Sequence, residues 1–325
     1  MSDVIKVLDT PRKVEKTHKA DVMVFTEDSN YSDAFGFEWQ EYSRTYTDSA
    51  LGEDVSLSKR RVELNLGFPL EFLEGKTLVE LGCGQGRFTE HFVKHAKQVA
   101  AVDMSYAVYH NTALGASNLL AVRADINNLP KFSEKFDVVF CRGVIQHTPN
   151  PRQTLQSLFG PVKDGGLVIF DVYLKRHGDW RNFKYFWRPV VKKIWSEEQF
   201  NETLQKRGST LYKFHHTILR CVRALGPFSK PFRITPLFLS MDWEHQYSQL
   251  SKEQRIEIFK NELVDMLYSG FDNPMSPQEV LDTLAEIGQY PYSYDHGRNH
   301  YRCKKQTSME PIRAAFSKNG VIVKK

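Results

Sequence analysis

The chain has 325 residues, 41% of them hydrophobic and 26% charged, with a formal net charge of +5. That balance excludes a disordered or collagen-like polymer, and the length allows two domains or one domain with a large insertion. No window approaches the ~18 uninterrupted apolar residues that a transmembrane helix needs, so none is expected. The charged N-terminus, MSDVIKVLDTPRKVEKTHKADV, has no apolar segment of the kind a secretory signal carries. Cys83, Cys141, Cys221 and Cys303 are too scattered for a disulfide frame or a zinc site, which suits a cytoplasmic protein.

In chain order, residues 1–30 are polar and read as a flexible arm, and residues 31–75 read as an aromatic and helical cap. Residues 76–173 then alternate. Five apolar runs, TLVELG (77–82), QVAAVD (98–103), NLLAVRAD (118–125), FDVVFCRG (136–143) and LVIFDVY (167–173), are separated by helical patterns. Buried runs alternating with helices predict an α/β fold with a parallel sheet covered on both faces. Residues 174–275 break the rhythm and predict a helical insertion. Ser196 and Gln199 form a capping box there, Gly208 reads as a helix stop, and Ser251 with Gln254 opens a helix whose apolar face is Ile256, Phe259, Leu263, Val264 and Leu267. Residues 276–306 predict a last helix, opened by Ser276 and Glu279, and a final pair of strands; 307–325 read as a poorly ordered tail.

The strongest chemical signal is VELGCGQGRF, residues 79–88, at a strand-to-helix junction. Gly82, Gly84 and Gly86 lack the Cβ atoms that would keep a ligand off the backbone, and the following helix offers its N–H groups to an anion. Asp103 closes the next strand, where a carboxylate can accept bonds from both hydroxyls of a ribose. A dinucleotide loop, GxGxxG, would need glycine where this chain has Arg87.

The loop resembles motif I of class I S-adenosylmethionine-dependent methyltransferases, an acid (Glu80) followed by GxGxG. The resemblance continues in register through VDMS (102–105), RADINNLP (123–130), FDVVFCRGVIQHTPNP (136–151) and DGGLVIFDVY (164–173). It implies a Rossmann-like, seven-stranded, mostly parallel sheet with helices on both faces and a helical insertion after strand five. It implies S-adenosyl-L-methionine as cofactor, with Gly82, Cys83 and Gly84 against its methionyl and ribose parts. Asp103 would hold the ribose, Met104 would pack on the adenine, and Asp125 with Ile126 would receive the adenine edge. Cys141 and Gly143 would line the methionyl side, and Arg87 would pair either with the cofactor carboxylate or with a neighbouring acid. The flanks FGFEWQEYSRTYTDS (35–49) and DMLYSGFDNP (265–274) resemble a type 11-like bacterial subgroup associated with sugar, glycan and natural-product modification. There the aromatic segment would close over the site, which nominates Phe37, Trp39 and Tyr46.

Methyl transfer from a sulfonium is an in-line displacement in which the protein mainly aligns the partners and excludes water. A hydroxyl acceptor also benefits from a base. His147, past the fourth strand, is the first candidate. Asp171, Tyr173, His177, His215, His216, Asp242 and His245 are others on the acceptor side. No pair has metal-ligand spacing with a carboxylate on the same face, so no metal is expected. Residues 174–240 carry 14 Lys/Arg against 4 Asp/Glu, interleaved with aromatics. A lid for an acidic, lipid-linked or carrier-linked small molecule fits that mix, with methylation at oxygen. An RNA methyltransferase using the basic segment and a non-catalytic nucleotide-binding module are the alternatives, nucleic acid being the less favoured partner.

Overall fold

The computed structural model describes residues 5–17, 20–26, 47–52, 56–175, 183–224, 226, 247–295, 299–307, 313–317 and 320–324. Its centre is five parallel strands: β3 (Thr77–Leu81), β4 (Gln98–Asp103), β5 (Leu119–Arg123), β6 (Phe136–Cys141) and β7 (Val162–Asp171). Pairing runs β5-β4-β3-β6-β7, so the order reverses beside β3. The sheet continues past β7 through β9 (His300–Lys304) and β8 (Pro291–Asp295), both antiparallel to their neighbours. These seven strands are the expected Rossmann-like set.

Two more strands extend the other edge. β1 (Lys13–Lys16) pairs antiparallel with β2 (Asp21–Val24), and β2 lies parallel to β5. Residues 1–30 are thus not simply a flexible arm: Ile5 is in the core, and its backbone exchanges two hydrogen bonds with the Gln98 amide. Within the C-terminal tail, β10 (Arg313–Ser317) and β11 (Gly320–Lys324) form an antiparallel hairpin.

The pleat sends alternate residues of each strand to opposite faces. Val79, Leu81, Val102 and Val139 meet one buried cluster, which includes Val280 and Leu284 of a late helix, α9 (Pro277–Glu286). Leu78, Val99 and Val138 meet another, supplied by Val62 and Leu66 of α2 (Leu57–Leu66) and by Phe92 of α3 (Thr89–His95). A four-residue helix, α1 (Asp48–Leu51), precedes α2; α4 (Val108–Asn111) and α5 (Pro151–Ser157) complete the core helices. The C-terminus of α2 is fixed by Arg302, whose guanidinium donates to the Leu64 and Asn65 carbonyls (2.5 and 2.7 Å), a favourable place for a cation.

The insertion leaves and rejoins the core at one point. Leu174 bridges Met275, and the Met275 N–H donates to the Tyr173 carbonyl (2.9 Å). Between them α6 (Phe183–Ile194), α7 (Glu197–Ala224) and α8 (Lys252–Tyr268) have their own apolar core, containing all five residues of the anticipated face of α8. The three capping boxes form as the sequence indicates. Gly208 does not stop a helix: α7 runs through it, because a Cβ there would stand 2.7 Å from Lys260 Cε on α8. Glycine serves close helix approach at this position, not termination. Strand β7 likewise starts five residues earlier than expected; Lys163–Gly166 bulge out between the Phe136–Val162 and Val138–Leu167 pairs.

Candidate active site

The turn after β3 has the geometry its glycines permit. Gly82, Gly84 and Gly86 sit at φ +79°, +51° and +92°, a region that disfavours side chains. At Gly82 a Cβ would also fall 2.2 Å from Val144. The turn is tied to β4: the N–H groups of Gly82 and Cys83 donate to the Val102 carbonyl, and the Gly84 N–H donates to Asp103 Oδ2 (2.8 Å). The other Asp103 oxygen accepts from the N–H and hydroxyl of Ser105 (2.8 and 2.7 Å). Burial pushes the Asp103 carboxyl above its ordinary range, while Ser105, Gly84 and the Arg123 cation pull the other way. Oδ1 thus already accepts two bonds, and Oδ2 keeps a second lone pair for a ligand.

Glu80, the acid of the motif and a candidate for cofactor binding, makes its contacts within the fold. It is buried beneath the turn, accepts the Thr89 hydroxyl (2.6 Å) and is pushed up to about 8 by burial. It therefore links β3 to α3. The Cys83 thiol is also turned inward, towards Asn111 (3.5 Å), so only the backbone of Cys83 can face a ligand. The Cys141 side chain, expected to line the methionyl side, is instead fully buried in the cluster that holds Val79, Leu81 and Ile145, so only its backbone can face a ligand. Two residues on, Gly143 is exposed at φ +72°, and a Cβ there would meet nothing within 4 Å. Asp125 N-caps a short turn, its Oδ1 accepting the Asn127 N–H (2.9 Å); Ile126 beside it packs mostly into the core.

Arg123 carries a role that sequence reasoning missed. It ends β5 opposite Asp103, its Nε donates to the Met104 carbonyl (3.0 Å), and its guanidinium lies 3.9 Å from the Tyr106 ring centroid. A lone cation closing an apolar strand was the available signal.

On the acceptor side, His147 Nδ1 lies 2.9 Å from both Ser269 Oγ and the Phe271 carbonyl. A carbonyl only accepts, and the Ser269 hydroxyl already donates to it (2.7 Å), so the ring proton belongs on Nδ1 and the basic lone pair on Nε2. The ring packs edge-on against Tyr173 (5.3 Å), over which Lys184 places its ammonium (4.7 Å). Asp171 accepts the Gly143 N–H (2.6 Å) and pairs with Arg142 (3.3 Å). Arg87 donates to Ser58 Oγ on α2 (3.0 Å). On α8, Glu262 accepts the Tyr247 hydroxyl (3.1 Å) and is pushed up to about 7, chiefly by burial. His215 is buried against Phe259 within the insertion, away from the strand ends. Phe37, Trp39, Tyr46, His177, Asp242 and His245 lie outside the described residues.

Asp48, Glu90 and His91 bring ligand-type atoms within 4.8 Å of one another, a cluster hidden by a 42-residue separation. His91 Nε2 stands 3.2 Å from Asp48 and 3.3 Å from Glu90. Asp48 accepts the N–H groups of Ser58 and Lys59, and Glu90 accepts that of Asp48 (2.6 Å), so the trio clamps α1 and the start of α2 onto α3.

Residues 57–213 match a family profile described as a methyltransferase domain. Among curated proteins, the chain is 29% identical over 123 residues to a ubiquinone biosynthesis O-methyltransferase of Coxiella burnetii, covering 37% of this chain and 50% of that protein. It is 30% identical over 128 residues to a tRNA U34 carboxymethyltransferase of Campylobacter curvus, covering 36% and 42%. The chain thus spans about half the length of the curated relatives it matches. A solved N-methyltransferase, NodS of Bradyrhizobium japonicum, overlays 42% of this chain and 74% of its own at 18% identity, with a TM-score of 0.33, too loose to add to the assignment. The profile match spans the glycine turn and the carboxylates at the ends of β4 and β7, and on these grounds residues 57–213 form a methyltransferase domain.

Proposed function

We propose that the chain methylates an oxygen of a small or carrier-linked acceptor, of the sugar, glycan or natural-product type, with S-adenosylmethionine as donor. One observation carries the reading. A left-handed glycine turn is hydrogen-bonded to Asp103, and the open face of Gly143 follows the neighbouring strand β6. Bare backbone beside a carboxylate fits a nucleoside with a short zwitterionic tail. Bound there, the cofactor would supply an electrophilic methyl on a sulfonium that is already a good leaving group.

The chain's own residues would do the rest. Asp103 would accept from the ribose at Oδ2, which has a lone pair left, Met104 would pack on the base, and Asp125 would use the oxygen its cap leaves over. Gly82, Gly84 and Gly143 would let the donor lie against backbone. Arg87, aimed by Ser58, would hold the carboxylate end. His147 would take the acceptor proton at Nε2, its ring aimed by the Phe271 carbonyl and supported by Tyr173. Three of the four cysteines are buried and all four are free, in keeping with a cytoplasmic setting.

The RNA reading loses ground on the insertion. Lys184 and Arg188 neutralise buried Asp272, Lys192 reaches the Tyr268 and Ser269 carbonyls, and Lys260 pairs with Glu257. Those on α6 hold it against the end of α8 and are engaged before any phosphate arrives, while Lys193, Lys206, Arg207, Lys213 and Arg220 stay exposed. Calorimetry with S-adenosylhomocysteine, followed by labelled-methyl transfer into fractionated extract, tests the assignment. Label in a small or lipid-carried product, stable as an ether, is expected. Label in RNA would replace this reading with the alternative, and cofactor binding without transfer to any fraction would favour a non-catalytic module.

A further inference from the structure

The helix α6 is built with its charged side inward. Lys184 and Arg188 point to Asp272 (2.8 and 3.1 Å), a carboxylate with only 2% of its side chain exposed, and Val191 joins the apolar core of the insertion. The other face carries Phe186, Val190 and Ile194, spaced four apart and therefore stacked along one stripe. These three are 46%, 41% and 58% exposed, and Trp195 at the helix end is 38% exposed. Scattered apolar side chains on a surface need no explanation, but a stripe of three along one helix face with a tryptophan just past its end does.

Charge decides what covers it. Lys193 is exposed beside the stripe, and residues 174–240 carry 14 basic against 4 acidic side chains, 11 once Lys184, Arg188 and Lys192, engaged within the insertion, are set aside. A second copy of the chain, docking stripe to stripe, would bring two such surpluses together. An anionic bilayer surface offers apolar depth and opposite charge at once. Among the described residues no helix is long and apolar enough to cross a membrane, so α6 would lie in the interface. We propose that α6 is a membrane-docking helix, seating Phe186, Val190, Ile194 and Trp195 at the headgroup boundary of an anionic lipid surface with Lys193 among the headgroups. The inference stands whatever the methyl acceptor is, and it would deliver the insertion to a substrate carried in lipid.

The full chain is sedimented with vesicles of phosphatidylcholine alone and with vesicles in which roughly a third is phosphatidylglycerol. Binding to the anionic vesicles, weakened by salt and by Lys193→Glu, is expected. The double variant Phe186→Ser/Ile194→Ser removes two half-exposed side chains and should partition at least ~10-fold more weakly. Unchanged S-adenosylhomocysteine affinity in that variant shows that it is folded. Failure of the wild type to bind anionic vesicles, or binding that the double variant retains, overturns the proposal. A concentration-dependent dimer that the double variant abolishes, without vesicle binding, would assign the stripe to a second copy instead.

Discussion

The two halves of the site are held together differently. Around the glycine turn, polar atoms find partners in the adjacent turn or strand: Asp103 serves Gly84 and Ser105, Glu80 serves Thr89, and Asp125 caps its own turn. In the insertion, buried charges pair across helices or loops far apart in sequence. Asp272 meets Lys184 and Arg188, and His147 reaches back from the core to Ser269 and Phe271. Local pairing fixes the proposed cofactor cradle. Distant pairing makes the acceptor side depend on how the insertion packs.

Breaking the insertion should have the largest effect. Asp272→Ala leaves two cations in a buried site without their counter-charge, a loss of about 3–5 kcal/mol. Denaturant unfolding followed with S-adenosylhomocysteine calorimetry should show a weaker insertion while the cradle still binds. Equal loss of both would mean that the two halves fold as one unit. Gly82→Ala attacks the other half. A left-handed φ and a 2.2 Å approach to Val144 predict about 2–4 kcal/mol of destabilisation together with loss of cofactor binding. A variant as stable and as tight-binding as wild type would show that the turn can relax.

The same contrast explains what the sequence disclosed. Strands β3 to β7 are continuous apolar runs, buried on both faces, and the glycine turn is contiguous; each is legible from neighbouring residues. β1 and β2 are four residues each, and KVEK is a polar edge strand, so neither carries a periodic signal. Cys141 illustrates the limit of motifs: its position matched a strand end, but strand alternation turned its side chain into the core. Gly208 looked like a helix stop because the reason for its small size is Lys260 on another helix. The trio of Asp48, Glu90 and His91, like the pairing of His147 with Phe271, exists only after tertiary packing.

A narrower test concerns the cradle alone. Asp103→Asn keeps the shape but removes the charge and one acceptor oxygen. S-adenosylhomocysteine affinity should fall ~10- to 100-fold, with a smaller change in stability than Gly82→Ala gives. 5′-Methylthioadenosine, which keeps the ribose but lacks the amino-acid tail, should weaken by the same factor, because Asp103 would act on the ribose. A loss confined to the tail-bearing ligand would move Asp103 to the other end of the site.

The smallest expected effect is a pH dependence of the clamp under α2. Burial opposes the charge on His91, but the Asp48 and Glu90 carboxylates outweigh it and raise its pKa; the imidazolium in turn helps hold both acids below their ordinary values. A raised histidine stabilises fully below its unfolded value, about 6.5, and the contribution is lost as pH rises through the folded value. The lowered acids contribute above about 4.3 and lose that contribution as pH falls through their folded values. The clamp is therefore strongest from about pH 4.5 to 6.5 and weakens above it. Glu80 and Glu262, pushed up to about 8 and about 7, titrate in the same upper range. Glu262 is common to wild type and His91→Gln and cancels in the difference between the two; Glu80 feels the His91 charge, so both proteins carry Glu80→Gln. That difference in unfolding free energy should shrink steadily from pH 6 to 9 in chemical denaturation. A flat difference would mean that His91 is neutral between its two acids and holds α2 by hydrogen bonding alone.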